Sequence, residues 1–165
     1  GEVLLKAYDW RMLPVLEHSA GYDTAEGRSR IMVFQDMAER KQAEATLRKL
    51  SQAIEQSPAS ILITNLNAEI EYVNEAFVRN TGYSREEVLG KNPRILHSGR
   101  TSPQTYLSMW TALTAGEAWQ GEFINRRKDG SEYIESVVMA PTHQDDGRIT
   151  HYVAVKEDVT AKKAA

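Results

Sequence analysis

The feature that most constrains this chain is that its two ends echo each other. VFQDMAERKQA at 33–43 aligns with VKEDVTAKKAA at 155–165, setting Asp36 over Asp158, and a basic turn (Gly27-Arg28, Gly147-Arg148) precedes each copy. Self-similarity at a fixed offset marks repeated units, so one unit ends near residue 36 and a second near residue 160. Residues 1–36 then read as the last strands of an upstream, incomplete copy, and residues 57–160 as a complete copy. Residues 37–56 link the two, and 161–165 open a further helix. Val3, Leu4 and Leu5 follow no turn or cap, which fits a start inside a domain. At 165 residues the chain has room for one ordinary domain and these extra segments.

Local signals fill in the units. Residues 2–17 and 28–36 are rich in Val, Leu, Ile, Tyr and Trp and predict two strands, with Ser19, Gly21, Asp23 and Gly27 forming the loop between them. From residue 37 to 56 the pattern becomes a charged helix whose Ala43, Leu47, Leu50 and Ile54 make one apolar stripe of coiled-coil type. Pro58 ends it, because the residue before proline is pushed out of helical geometry. SILIT and EIEYV predict two strands around a turn at 65–68. Asn74 caps a helix stopped by Gly82, Ser84 and Glu87 make a capping box, and Ser102-Pro103 opens a helix closed by Gly116. Three strands at 117–127, 132–143 and 149–158 are joined at Asp129-Gly130 and Asp146-Gly147, both with hairpin chemistry.

Composition narrows the function. With 41% apolar and 26% charged residues the chain is an ordinary globular one. Its net charge of −3, with both signs interspersed, offers no basic face for nucleic acid. No long uncharged apolar run is present, so no membrane insertion by this chain is expected, and the lack of cysteine fits a cytoplasmic location. It also excludes disulfides, thiolate nucleophiles, cysteine zinc sites and iron–sulfur ligation. His18, His97, His143 and His151 are scattered, without an i, i+4 pair or an acidic consort, and predict no metal site. No phosphate-binding loop or nucleophile motif points to an enzyme.

The order of elements and the runs NEAFVRNTGYSREEVLGKNPRILHSG, Trp119-Gln-Gly-Glu, NRRKDGSEY and GRITHYVAVKEDVT resemble the PAS domain with its C-terminal PAC segment. The resemblance implies an α+β fold: a five-stranded antiparallel sheet with short helices on one face, here preceded by a coiled-coil-like linker helix. It implies a sensory or relay module of a histidine kinase or cyclic-di-GMP enzyme. Such modules often form homodimers and pass signals through flanking helices to a kinase or cyclase output domain.

The resemblance also suggests a cofactor. GKNPRILHSGRTSPQTYLSMWTAL aligns without gaps with the flavin-binding segment of light-oxygen-voltage domains, with Pro93 where those carry the photoreactive cysteine. A cysteine adduct is therefore excluded, whereas redox flavin chemistry is not. Trp110 stands where that branch has an arginine for the flavin phosphate. A tryptophan there resembles the FAD-holding redox sensors of nitrogen fixation and methane monooxygenase regulation, so FAD is the implied cofactor and none at all the alternative. Asn125 matches the asparagine that bonds the flavin pyrimidine edge, as an amide can by donating and accepting together. Asn92 and Arg94 match residues beside the ribityl and phosphate groups. Glu135 and Lys156 replace an asparagine and a glutamine, and either could tune a flavin's charge state. Heme is disfavoured because the helix from Pro103 carries no histidine, leaving His97 just before it.

The same residues have plainer readings. Asn125 also suits a hairpin flank. Trp110 and Trp119 suit a core, Trp110 with Tyr106, Leu107 and Leu113 on an inner helix face. Asp158 with Thr160 suits a cap, and Glu135 and Lys156 suit solvent-facing sheet positions. Arg126, Arg127 and Lys128 suit a solvated strand end or a contact with an acidic partner.

Overall fold

The computed structural model describes residues 2–6, 12–24 and 27–165 and divides into two compact units, Gly1–Gln52 and Ala53–Ala165. In the first, β1 (Glu2–Lys6), β2 (Met12–Thr24) and β3 (Gly27–Asp36) form an antiparallel sheet in chain order. The expected loop from Ser19 is strand instead: Ser19, Gly21 and Asp23 pair with Met32, Arg30 and Arg28. A long antiparallel partner satisfies each backbone group in turn, and that ladder overrides the local turn preference of these residues. Residues 7–11 of the first expected strand lie outside the described residues.

Helix α1 (Ala38–Gln56) follows, with no buried residue. Its stripe faces solvent, with Leu47 67% and Leu50 56% exposed. The last turn is held within the second unit. Glu55 accepts from the Tyr72 hydroxyl at 2.5 Å, from Arg85 Nη2 at 2.6 Å and from the Glu75 amide at 3.2 Å.

The second unit runs β4 (Ser60–Asn65), β5 (Ile70–Val73), α2 (Glu75–Thr81), α3 (Arg85–Val88), a 3₁₀ turn at Pro93–Leu96, and α4 (Pro103–Thr114). It closes with β6 (Trp119–Arg126), β7 (Glu132–His143), β8 (Ile149–Asp158) and α5 (Thr160–Ala164). The five strands make one antiparallel sheet in the order β5-β4-β8-β7-β6. The helices come from the segment between β5 and β6, and their apolar faces cover one side of the sheet. Phe77, Val88, Leu96 and Leu113 are buried there with Leu62, Val73 and Val137.

The caps read from the sequence are present. Ser84 and Glu87 bond reciprocally, and Ser102 accepts from the Thr105 amide. Gly82 ends α2 at φ 78°, a left-handed conformation that suits glycine. Asn74 does more than cap. Its Oδ1 accepts from Phe77 N (3.2 Å) and Ile61 N (2.9 Å), and its Nδ2 donates to Ile54 O (2.9 Å) and Ala59 O (3.0 Å). One fully buried side chain thus joins the end of α1, the start of β4 and the start of α2.

Two expectations about surface residues are corrected. Leu107 is 68% exposed, because the inner face of α4 is carried by Met109 and Leu113. The basic run is not simply solvated. Arg127 donates to Asn80 O at 2.9 Å, pairs with Asp158 and lies 4.3 Å over the Tyr133 ring, while Lys128 pairs with Glu87 at 2.5 Å. The β6–β7 hairpin is thereby fastened to α2, α3 and the end of β8.

Candidate functional site

Strand side chains alternate between faces, so every second residue of each strand points toward the helices. Tyr152, Ala154 and Lys156 of β8, Phe123 and Asn125 of β6, and Leu62 and Thr64 of β4 line a cavity of about 340 Å³ between the sheet and the helical segment. Tyr106, Met109 and Trp110 of α4 face them, with Asn92, Pro93, Arg94 and His97 along one side. The walls are mainly flat and apolar. Trp110 meets Tyr152 edge-on at 5.7 Å, and His97, Tyr106, Phe123 and Trp119 form a continuous stack with centroid spacings of 4.6, 5.3 and 5.3 Å.

One polar cluster interrupts this lining. Glu135 Oε2 accepts from Lys156 Nζ at 3.0 Å and from Asn125 Nδ2 at 2.9 Å, and Oε1 accepts from the Tyr133 hydroxyl at 3.2 Å. All four residues are 2–3% exposed. Burial, then the neighbouring carboxylate, pushes the Tyr133 phenol well above its usual range, so it stays a neutral donor. Asn125 Nδ2 serves Glu135, and its Oδ1 is left over. That oxygen is the buried side-chain polar atom without a hydrogen-bond partner among the described residues. Such an atom costs roughly 1–3 kcal/mol unless something bonds to it, and Asn125 lines the cavity.

Local geometry holds this wall in place. Asn92 Oδ1 accepts from Arg94 N at 3.0 Å and so caps the 3₁₀ turn. His97 bridges backbone to backbone with Asn125. Ser98 donates to Ile124 O, and Thr101 Oγ1 accepts from Ile124 N at 2.9 Å. Partial burial, and then the charges of Lys156 and Arg94, hold the His97 imidazole below its ordinary pKa.

Of the candidate residues, Asn92, Arg94, Trp110, Asn125 and Lys156 line the cavity, and Glu135 stands directly behind Asn125 and Lys156. Glu135 and Lys156 are therefore not solvent-facing. Tyr133, Glu135 and Val137 share the buried face of β7, and Tyr152, Ala154 and Lys156 that of β8. Trp110 is 37% exposed at the rim rather than in the core, whereas Trp119 is 8% exposed. Trp119 Nε1 donates to Ser108 at 3.1 Å, and its ring lies where a Cβ on Gly121 would be, 2.3 Å from Cζ2. Asp158 Oδ1 accepts from the Thr160 amide at 3.0 Å, but the N-cap position of α5 is Val159, which makes no side-chain capping bond. His151 does have an acidic neighbour, Glu71 at 3.0 Å, but no group of three metal-ligating side chains occurs among the described residues. The side chain of His18 lies outside the described residues. Phe123 and Tyr152 escaped the sequence reading, although their alternation with buried strand neighbours was available to find them.

The PAS domain family model matches residues 58–161. The chain belongs to the PAS domain family. It is 37% identical over 107 residues to a nitrogen fixation regulatory protein of Klebsiella oxytoca, covering 65% of this chain and 22% of the relative. It is 32% identical over 111 residues to a blue-light-activated histidine kinase of Brucella anthropi, covering 66% and 23%. This PAS chain thus spans about a fifth of the length of those relatives. A light-oxygen-voltage domain solved in work on a flavin analogue superimposes with a TM-score of 0.63 at 28% identity, covering 70% of this chain and 88% of that one. The PAS unit is a sensory module of the kind found in signalling proteins, and no helix among the described residues is long and apolar enough to cross a membrane.

The residues present fit a flavin. A flat heteroaromatic ring suits the aromatic walls, and the unpartnered oxygen belongs to Asn125, a residue of the cavity wall.

Proposed function

We propose that residues 57–160 bind a flavin, FAD by preference, and report redox state or oxygen to a partner domain of the same protein. The observation that carries this reading is the buried, unpartnered Oδ1 of Asn125 at the wall of an aromatic cavity. A cavity meant only as packing would have no reason to strand an acceptor there. The similarity to a light-oxygen-voltage domain and to a nitrogen fixation regulator supports it.

A bound flavin would supply reversible electron uptake. Asn125 would orient the ring, Arg94 and Asn92 would stand beside its ribityl and phosphate chain, and the aromatic walls would exclude water. With no cysteine in the sequence, signalling proceeds without a thiol adduct. Residues 1–36 serve in this reading as the end of an upstream repeat. The exposed Leu47 and Leu50 of α1 serve as a homodimer contact in the cytoplasm, and a kinase or cyclase is the output.

The absorption spectrum of the purified protein, expressed with adequate riboflavin and followed by denaturing extraction, tests this directly. A flavin band identified as FAD is expected. A folded, colourless protein that takes up neither FAD nor FMN would overturn the reading and leave a ligand-free relay module.

A further inference from the structure

Lys156 is a strange residue to find in the wall of a mainly apolar cavity. It is 3% exposed, it lines the cavity, and its ammonium donates to Glu135 Oε2. An ammonium has three donors, so donors remain for a ligand. Glu135 faces the same ammonium from behind the wall and is shared with Asn125 and Tyr133. The second cation along the cavity is Arg94, and the two together help hold His97 neutral. Lys156 therefore places a cationic group at the wall in surroundings of low dielectric, where one charge acts strongly on another.

We propose that Lys156 makes the cavity selective for the anionic, two-electron-reduced form of the bound flavin, with Glu135 as a positioning residue that holds the ammonium at the wall. The inference rests on the flavin reading above. Reduction adds two electrons and one proton to the ring, the proton at N5, and leaves one negative charge on the pyrimidine side. The electrons come from an external low-potential reductant, dithionite in the test below, and the N5 proton from solvent water; Lys156 neither gives nor takes a proton. It stabilises the product's charge relative to the neutral oxidised ring. By linkage, any preference for the reduced form raises the reduction potential by the same free energy.

The test is a dithionite titration of FAD-loaded protein against a reference dye, with the oxidised and reduced dissociation constants measured alongside. Lys156→Met is expected to cut the preference for reduced FAD by about tenfold, a shift of about 30 mV to more negative potential for a two-electron couple. Glu135→Gln removes the opposing charge and is expected to move the potential the other way, and Lys156→Arg to leave it near that of the parent. The double variant Lys156→Met, Glu135→Gln strands neither charge, so it keeps the test open if the single variant fails to fold. It is expected to lie below the parent. An unmoved potential in FAD-loaded Lys156→Met or in the double variant would overturn the inference alone. So would a shift of the same sign in Glu135→Gln and Lys156→Met, which is what a merely structural role predicts. Parent protein that takes up no FAD would overturn the flavin reading and this inference with it.

Discussion

Glu135 and Lys156 meet diagonally across β7 and β8, Oε2 to Nζ 3.0 Å apart, with both side chains 3% exposed. Their registers differ by two residues, since Lys156 pairs with Val137 and Glu135 with Asp158. A buried pair of this kind is strongly coupled: removing one partner strands a charge and costs about 3–5 kcal/mol, whereas removing both is often close to neutral. In the flavin-free protein, Lys156→Met should therefore lower unfolding stability far more than Lys156→Met with Glu135→Met. Chemical denaturation of both variants checks it, and equal losses would show that the pair is not coupled.

Asn125→Ala should weaken flavin retention about tenfold, the worth of one good buried hydrogen bond to a ring N–H, while unfolding stays cooperative. Equilibrium dialysis against FAD reads the first quantity and circular dichroism melting the second. Unchanged retention would remove Asn125 from the site.

Asn74→Ala should cost about 3 kcal/mol or more. Loss of an N-cap accounts for roughly 1 kcal/mol. The remainder comes from leaving Ile61 N, Ile54 O and Ala59 O short of a partner in a buried place. A loss under 1 kcal/mol in urea unfolding would mean that water replaces these bonds freely.

Gly121→Ala should destabilise the domain by about 1–3 kcal/mol through overpacking, because the new methyl would collide with the Trp119 ring. Release of the indole from Ser108 should show as a change in tryptophan fluorescence. A neutral substitution would show that the ring can swing aside at no cost.

His97 gives a pH dependence of known sign. Its folded pKa lies below the ordinary 6.5, so the unfolded chain binds the proton first as pH falls. The folded state is then favoured above pH 6.5, and this contribution is lost progressively as pH drops through that value toward the lower folded pKa. The difference in stability between the parent and His97→Gln, followed from pH 8 to 5, should shrink on the acid side. A difference independent of pH would refute it.

Much of the second unit was legible in the residues because its signals are local. Asn74, Gly82, the Ser84 and Glu87 box, Ser102-Pro103 and the two Asp-Gly joints each fix a boundary by bonds made within a few residues. What failed was decided by partners distant in sequence. Ser19, Gly21 and Asp23, expected in a loop, became strand because β3 offered them a ladder. The solvent-facing reading of Glu135 and Lys156 failed because charge was weighed as an individual trait. The period of two through Tyr133, Glu135 and Val137 assigns Glu135 inward whatever its charge, and each of these ions is made tolerable only by the other. The core reading of Trp110 failed in the opposite direction, since an aromatic on an amphipathic helix can also form the rim of a cavity.

The grip on Glu55 at the foot of α1 has a mechanical meaning. Hydroxyl, guanidinium and backbone amide hold this carboxylate from three elements, and burial with the Glu55 bond raises the Tyr72 phenol to about 12, so the hydroxyl keeps its proton to donate across the physiological range. A rod clamped at its base by three differently directed struts cannot spin without shearing them. Torque applied along α1 is therefore passed through this one carboxylate to β5, α2 and α3 together.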